Sequence, residues 1–195
     1  MRVFVLSTGR VGSTTFYNAC KHITNYTCSH EGMYGDENIK KKWHTVGSSR
    51  IIYPDNHIHI DGRLAFLLGR LDQMYGKDAF YVHLRRSIRH VVKSRTQPFS
   101  SGLIDSYRKI MGIRDHSIYD IADDLVKNTI ANIQFFLKNK PKKLTIWIEK
   151  PEWVTFWKLI KAKGDCVAGM GELANRYNTA KERQNDYDRR KPETS

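Results

Sequence analysis

Apolar residues fall into short runs separated by longer stretches with helical spacing. The run at 3–6 (VFVL) is predicted to be a buried strand, followed by a glycine-rich turn and a helix over about 13–22. Further strands are predicted at 26–29, 58–60 (IHI), 79–84 (AFYVHL) and 144–148 (LTIWI). Helical patterns occupy 64–74, 88–95, 118–137 and 152–162. Pro151 suits the start of the last of these, where a missing N–H costs nothing. Short apolar strands alternating with helices predict an α/β fold: a three-layer sandwich with a central, mainly parallel sheet covered on both faces. Segments 35–46 and 97–116 are polar or mixed and are expected to pass over the sheet's edge. Residues 1–177 are expected to form one domain, with 178–195 a flexible polar tail.

Composition narrows the function classes without choosing one. The 195 residues suffice for a single filled core. No run approaches the ~18 apolar residues that a membrane span requires. The start (MRVFVL) is too short and too soon interrupted for a secretory signal. Three cysteines, Cys20, Cys28 and Cys166, are odd in number and irregularly spaced, which suits a reducing compartment; a cytoplasmic protein is expected. The net charge of +13 admits nucleic acid, anionic lipid, a polyanionic substrate or a highly charged nucleotide as partner. The lysines at 138–143 read mostly as a solvated surface.

Two motifs carry chemistry. The first is Ser7-Thr8-Gly9-Arg10-Val11-Gly12-Ser13-Thr14-Thr15, between the first strand and the first helix. Glycines let backbone N–H groups turn inward, the helix start adds unpaired donors, and Arg10 adds charge: an anion cradle. An ordinary glycine turn with a serine cap has the same composition. The Walker pattern is absent, because no lysine follows Gly12 and the glycine spacing is too short. The second motif starts where the fourth strand ends. Arg85 and Arg86 stand at the strand's carboxyl end, and Ser94 follows Arg86 by eight residues, so a turn of helix brings both onto one phosphate.

Together these motifs resemble the sulfotransferases that use 3′-phosphoadenosine 5′-phosphosulfate (PAPS). Arg10-Val11-Gly12-Ser13-Thr14 matches that family's R/K-x-G-[ST]-[ST] loop, and Arg86 with Ser94 matches its Arg and Ser spacing. Ile88 replaces the family's proline, and His90 stands where aspartate is frequent. The resemblance implies a P-loop-NTPase-like sulfotransferase fold with PAPS as co-substrate and no required metal. It implies that Arg10, Val11, Gly12, Ser13, Thr14 and Thr15 hold the 5′-phosphosulfate and that Arg86 and Ser94 bind the 3′-phosphate. Arg10 would also stabilise charge in the reaction. Arg176, Lys181 and Arg183 resemble the family's C-terminal nucleotide-closing loop, as would any basic tail.

Sulfuryl transfer also needs a base. Glu31, 21 residues after Arg10, matches the glutamate of the tyrosylprotein branch and ranks first; His59 ranks second, ahead of His30 and Asp61. A surface carboxylate and a packed strand histidine are the plain alternatives. Cys28, His30, His57 and His59 would need to converge to bind metal, and their spacing is loose. The expected acceptor is a hydroxyl of a carbohydrate or small metabolite, with an oligomer possible and nucleic acid not expected. The competing readings are a P-loop-type nucleotide or metabolite kinase and a non-enzymatic basic nucleic-acid-binding module. The missing Walker lysine opposes the first; the lack of a recognised motif opposes the second.

Overall fold

β1 (Arg2–Leu6) is wholly apolar after its first residue, and Val3 to Leu6 are all fully buried. Such a run is stable only in the middle of a sheet covered on both faces. The computed structural model, which describes residues 1–32, 51–177, 185 and 189, places it there. β1 pairs with β3 (His57–Ile60) on one side and β4 (Phe80–Arg85) on the other. β2 (Thr27–His30) lies outside β3, and β5 (Lys143–Trp147) outside β4, giving the order β2-β3-β1-β4-β5. Every pairing is parallel. All five carboxyl ends therefore share one edge, and the strand order reverses direction about β1. A crevice at that switch point is where open parallel sheets bind ligands.

Alternation sorts each strand between two cores. Val3, Val5, Ile58, Ile60, Val82 and Leu84 face a cluster containing Phe16, Trp153 and Phe156. Phe4, Leu6 and Tyr81 face a second cluster with Ile51, Tyr53, Leu71 and Leu137. The described residues contain seven α-helices: α1 (Ser13–Cys20), α2 (Leu68–Tyr75), α3 (Ile88–Arg95), α4 (Gly102–Met111), α5 (Ile118–Leu137), α6 (Trp153–Leu159) and α7 (Cys166–Glu172). The three-layer α/β reading is thus correct. α3 and α5 have the ends expected of them, and the α5 start is fixed by Ser117, whose hydroxyl accepts the Asp120 N–H at 3.1 Å.

Three local expectations are refined, and one helix was not foreseen. The helix expected over 64–74 is a 3₁₀ turn (Gly62–Phe66) and α2, separated at Leu67, whose φ of −121° is not helical. Segment 97–116, expected only as a polar or mixed excursion, contains a 3₁₀ turn (Pro98–Ser100) and α4, because Leu103, Ile104 and Tyr107 form a short apolar stripe. α6 runs from Trp153 to Leu159, so Pro151 lies before the Glu152 cap instead of in the first turn. α7 was not expected, since Gly169 and Gly171 disguise it; Asp165 caps it by accepting the Ala168 N–H at 2.9 Å. Segment 35–46 lies outside the described residues, as does nearly all of the 178–195 tail.

Candidate functional site

The loop leaving β1 turns with three departures from ordinary backbone within four residues: φ is +69° at Gly9, +60° at Arg10 and +86° at Gly12. A non-glycine residue at such a φ costs on the order of 1–3 kcal/mol and persists only when its surroundings hold it. Here they do. The Arg95 guanidinium donates to the Thr8 carbonyl, and Ser7 Oγ accepts the Gly9 N–H at 3.1 Å. Space is as tight as the backbone: a Cβ on Gly9 would meet Arg95 Nη2 at 2.6 Å, and one on Gly12 would meet Ile148 Cγ1 at 2.9 Å. Gly12 begins α1 without a side-chain cap. The first-turn N–H groups of a helix have no intrahelical acceptor and carry its positive dipole end. An anion at this loop is the natural partner for them.

Arg10 crosses to the second motif. Its Nε donates to Ser94 Oγ at 3.0 Å, joining residues 84 positions apart, and its guanidinium carbon lies 5.2 Å from the centre of the Phe99 ring. Arg86 leaves the end of β4 half-exposed, with Glu149 Oε1 3.8 Å from its Nε. The same carboxylate accepts the Ser87 N–H at 3.0 Å. Arg95 was not singled out from the sequence. It sits on the buried side of α3 with Val91 and Val92, and an arginine at that helical spacing was the available signal. Burial pulls its guanidinium down to about 10, opposed by the charge of Glu31.

On the opposite side, β2 and β3 end in a carboxylate pair. Glu31 has a φ of +52° and lies with Oε1 3.7 Å from His30 Nε2. His30 is buried, stacks on Tyr17, and approaches Ser13 Oγ at 3.0 Å, linking the β2 end to the start of α1. Asp61 is 1% exposed and is gripped by Arg63 through Nε at 3.0 and 3.1 Å and Nη2 at 2.7 Å. Burial works against ionising Asp61, but the facing His59 ring and the Arg63 fork outweigh it and hold the carboxyl at about 2. Arg63 also escaped the sequence reading, because a lone arginine after a strand carries no pattern.

These groups border one cleft of about 660 Å³ at the carboxyl edge, lined by Arg10, Gly12, Ser13, Thr14, Glu31, Asp61, Arg63, Arg86, Ser94 and Arg95 among others. Four guanidinium groups against two carboxylates make it a site for an anion. A second hollow of about 600 Å³ adjoins it, sharing Gly12, Arg86, Ser94 and Tyr177 and adding Thr15, Lys93 and Arg176. The Thr15 hydroxyl donates to the Asn175 carbonyl at 3.2 Å, which holds this wall against α1. Val11 is buried in the core, so only its backbone can serve a ligand. His59 does not border the cleft; it is fully buried, 3.6 Å behind Asp61 Oδ2, and burial lowers its affinity for a proton. Lys181 and Arg183 lie outside the described residues.

The loose metal set does not converge. Alternation puts His57 and His59 on the sheet face of Thr27 and Ser29, while Cys28 and His30 point to the other. Burial pushes the Cys28 thiol up to about 11. Among the described residues no group of three His, Cys, Asp or Glu side chains is arranged to hold a metal ion. Nor is any described helix long and apolar enough to cross a membrane.

The architecture defines an α/β protein with an open parallel sheet and a cleft at its carboxyl edge. No protein-family model matches the chain, and no curated protein matches it by sequence. Among solved structures it is similar to a sulfotransferase domain from the curacin biosynthetic pathway, with a TM-score of 0.54, 16% identity, and coverage of 91% of this chain and 77% of that one. It is also similar to mouse sulfotransferase SULT7A1 complexed with PAP, with a TM-score of 0.45, 14% identity, and coverage of 94% of this chain and 62% of that one. The fold is therefore sulfotransferase-like.

Proposed function

We propose that this protein is a sulfotransferase that binds PAPS across the two joined hollows and moves its sulfuryl group to a hydroxyl of a carbohydrate or small-metabolite acceptor. The observation that carries this reading is the Arg10–Ser94 contact at 3.0 Å. It brings the loop that suits a 5′-phosphate beside the arginine and serine that suit a 3′-phosphate, which is what a doubly phosphorylated nucleotide needs. PAPS, when bound, supplies an activated sulfuryl group on its 5′-phosphate. The N–H groups opening α1 and the Ser13 and Thr14 hydroxyls hold that end, while Arg86 and Ser94 hold the other. Glu31 takes the acceptor's hydroxyl proton as the new oxygen–sulfur bond forms and the bond from sulfur to the phosphate oxygen breaks. Arg10 offsets the charge that gathers on the departing phosphate.

The desulfated nucleotide, 3′-phosphoadenosine 5′-phosphate (PAP), tests the donor half without an acceptor. At about 100 times its Kd it stabilises the fold by ~2.7 kcal/mol, a melting shift of roughly 5–10 °C. Arg86→Ala is expected to remove most of that shift. No shift with PAP, or a larger one with Mg-ATP, would overturn the reading in favour of a kinase. Binding to RNA that falls steeply with salt, without a PAP shift, would favour the nucleic-acid module.

A further inference from the structure

We propose that Arg63, locked by Asp61, is a positioning residue that presents the Glu31 carboxylate to the cleft. This inference rests on the donor-site reading for its catalytic consequence, though not for its geometry. Glu31 and Gly32 take successive positive φ values of +52° and +62°. Glycine does so freely; glutamate has to be held. Both backbone polar groups of Glu31 are tied: its N–H donates to the Ile60 carbonyl at 3.0 Å, and its carbonyl accepts from Arg63 Nη2. The first tie continues the β2–β3 ladder by one residue, and the second closes the turn from the far side.

Arg63 can act as a clamp because it is itself fixed. Its side chain is 48% exposed and would otherwise sample many rotamers. Asp61 removes that freedom with a two-pronged grip, and Asp61 Oδ1 also accepts the Arg63 backbone N–H at 2.8 Å. Behind Asp61 a polar seam runs along one face of β2 and β3, exposed at Thr27 and buried from His57 inward. Thr27 Oγ1 meets His57 Nδ1 at 2.7 Å, and Ser29 Oγ stands 2.7 Å from both His57 Nε2 and His59 Nδ1. His59 Nε2 then stands 3.6 Å from Asp61 Oδ2. The row of hydrogen-bonded side chains between two strands is stiff, and it holds the His59 ring against the carboxylate that grips the arginine. The chain of support ends at the backbone of Glu31, whose φ aims its side chain beside Arg10 and Ser13 in the shared cleft.

Two readouts test this. Without any ligand, amide hydrogen exchange at Glu31 and Gly32 is expected to speed up about tenfold in Arg63→Lys, which keeps the charge but loses the fork. Asp61→Asn is expected to do the same, and retained melting behaviour shows that each variant folds. With PAPS alone and water as acceptor, PAP release by Arg63→Lys is expected to fall up to about 10²-fold in kcat, with KM for PAPS within about threefold. The decisive arm is the Glu31→Gln background, where Arg63→Lys is expected to cost nothing further, because a residue acting through Glu31 has no role once Glu31 is disabled. Unchanged exchange, or losses that multiply in the double variant, would overturn the clamp. A wild-type chain that neither binds PAP nor turns over PAPS would overturn the donor reading instead, and the exchange rates would still decide the clamp.

Discussion

Glu149 places a negative charge where the proposed reading needs a phosphate. Its Oε1 lies 3.8 Å from Arg86 Nε and 3.7 Å from His90 Nδ1, and it also accepts the Ser87 N–H that opens α3. The carboxylate thus has a structural duty and an electrostatic cost. Both partners of the ion pair are more than a third exposed, so the pair itself adds little to stability. Glu149→Gln retains an oxygen for the Ser87 N–H while removing the like charge. We expect it to leave the melting temperature of the free protein within about 1 °C and to tighten PAP several-fold at low salt, with the gain shrinking as salt screens it. Calorimetric titration at two ionic strengths checks this, and weaker PAP binding by the variant would mean that Glu149 helps the site instead of opposing its ligand.

Elements whose apolar residues kept a clean period were legible; those that traded apolar residues for close approach were not. β1, β4, α3 and α5 carry continuous or 3.6-spaced apolar positions and lie within a residue or two of their expected limits. β3 was legible as a strand, yet its His57 and His59 looked available for chemistry when both meet the buried Ser29 hydroxyl on β2, which strand pairing alone reveals. Arg10, Arg86 and Ser94, which the structure brings to one cleft, could be singled out because each sits in a local motif. Arg63, Arg95 and Glu149 were not, since each acquires its role from a residue far along the chain. α7 shows the packing case most plainly. Gly169 reads as a helix breaker, but its missing Cβ is what lets Trp153 and the Ala19 carbonyl approach; an added Cβ would meet Trp153 Cζ2 at 2.7 Å and Ala19 O at 3.1 Å. Trp153 is 1% exposed and touches Phe16 and Phe156, so it has little room to yield. Gly169→Ala should therefore destabilise the fold by about 1–3 kcal/mol despite alanine's better helix propensity, as urea unfolding will measure. An increase in stability would show that α7 slides freely on α1.

For the whole molecule, the buried polar groups on the second face of the sheet set the response to acid. His83 lies on β4, 2% exposed, and burial with the neighbouring Arg85 charge lowers its pKa to about 4. His59 is lowered in the same direction by burial. In the unfolded chain both would take up protons as pH falls through about 6.5, while the native state resists. Their neutral burial is thus without penalty above that pH and becomes one as pH falls below it; for His83 the loss runs from about 6.5 down to about 4 and amounts to ~3 kcal/mol. Asp61, held at about 2, contributes stability that is fully present above its unfolded value near 3.8 and is lost as pH falls from there through about 2. The net charge of +13 grows over the same range, so self-repulsion acts in the same sense and salt should relieve only that part. Urea unfolding at pH 7, 5.5 and 4.5 is expected to show stability falling throughout. His83→Gln, which cannot titrate, should flatten the fall between pH 6.5 and 4 at fixed ionic strength. An unchanged slope in that variant would assign the acid sensitivity to surface charge rather than to the buried imidazole.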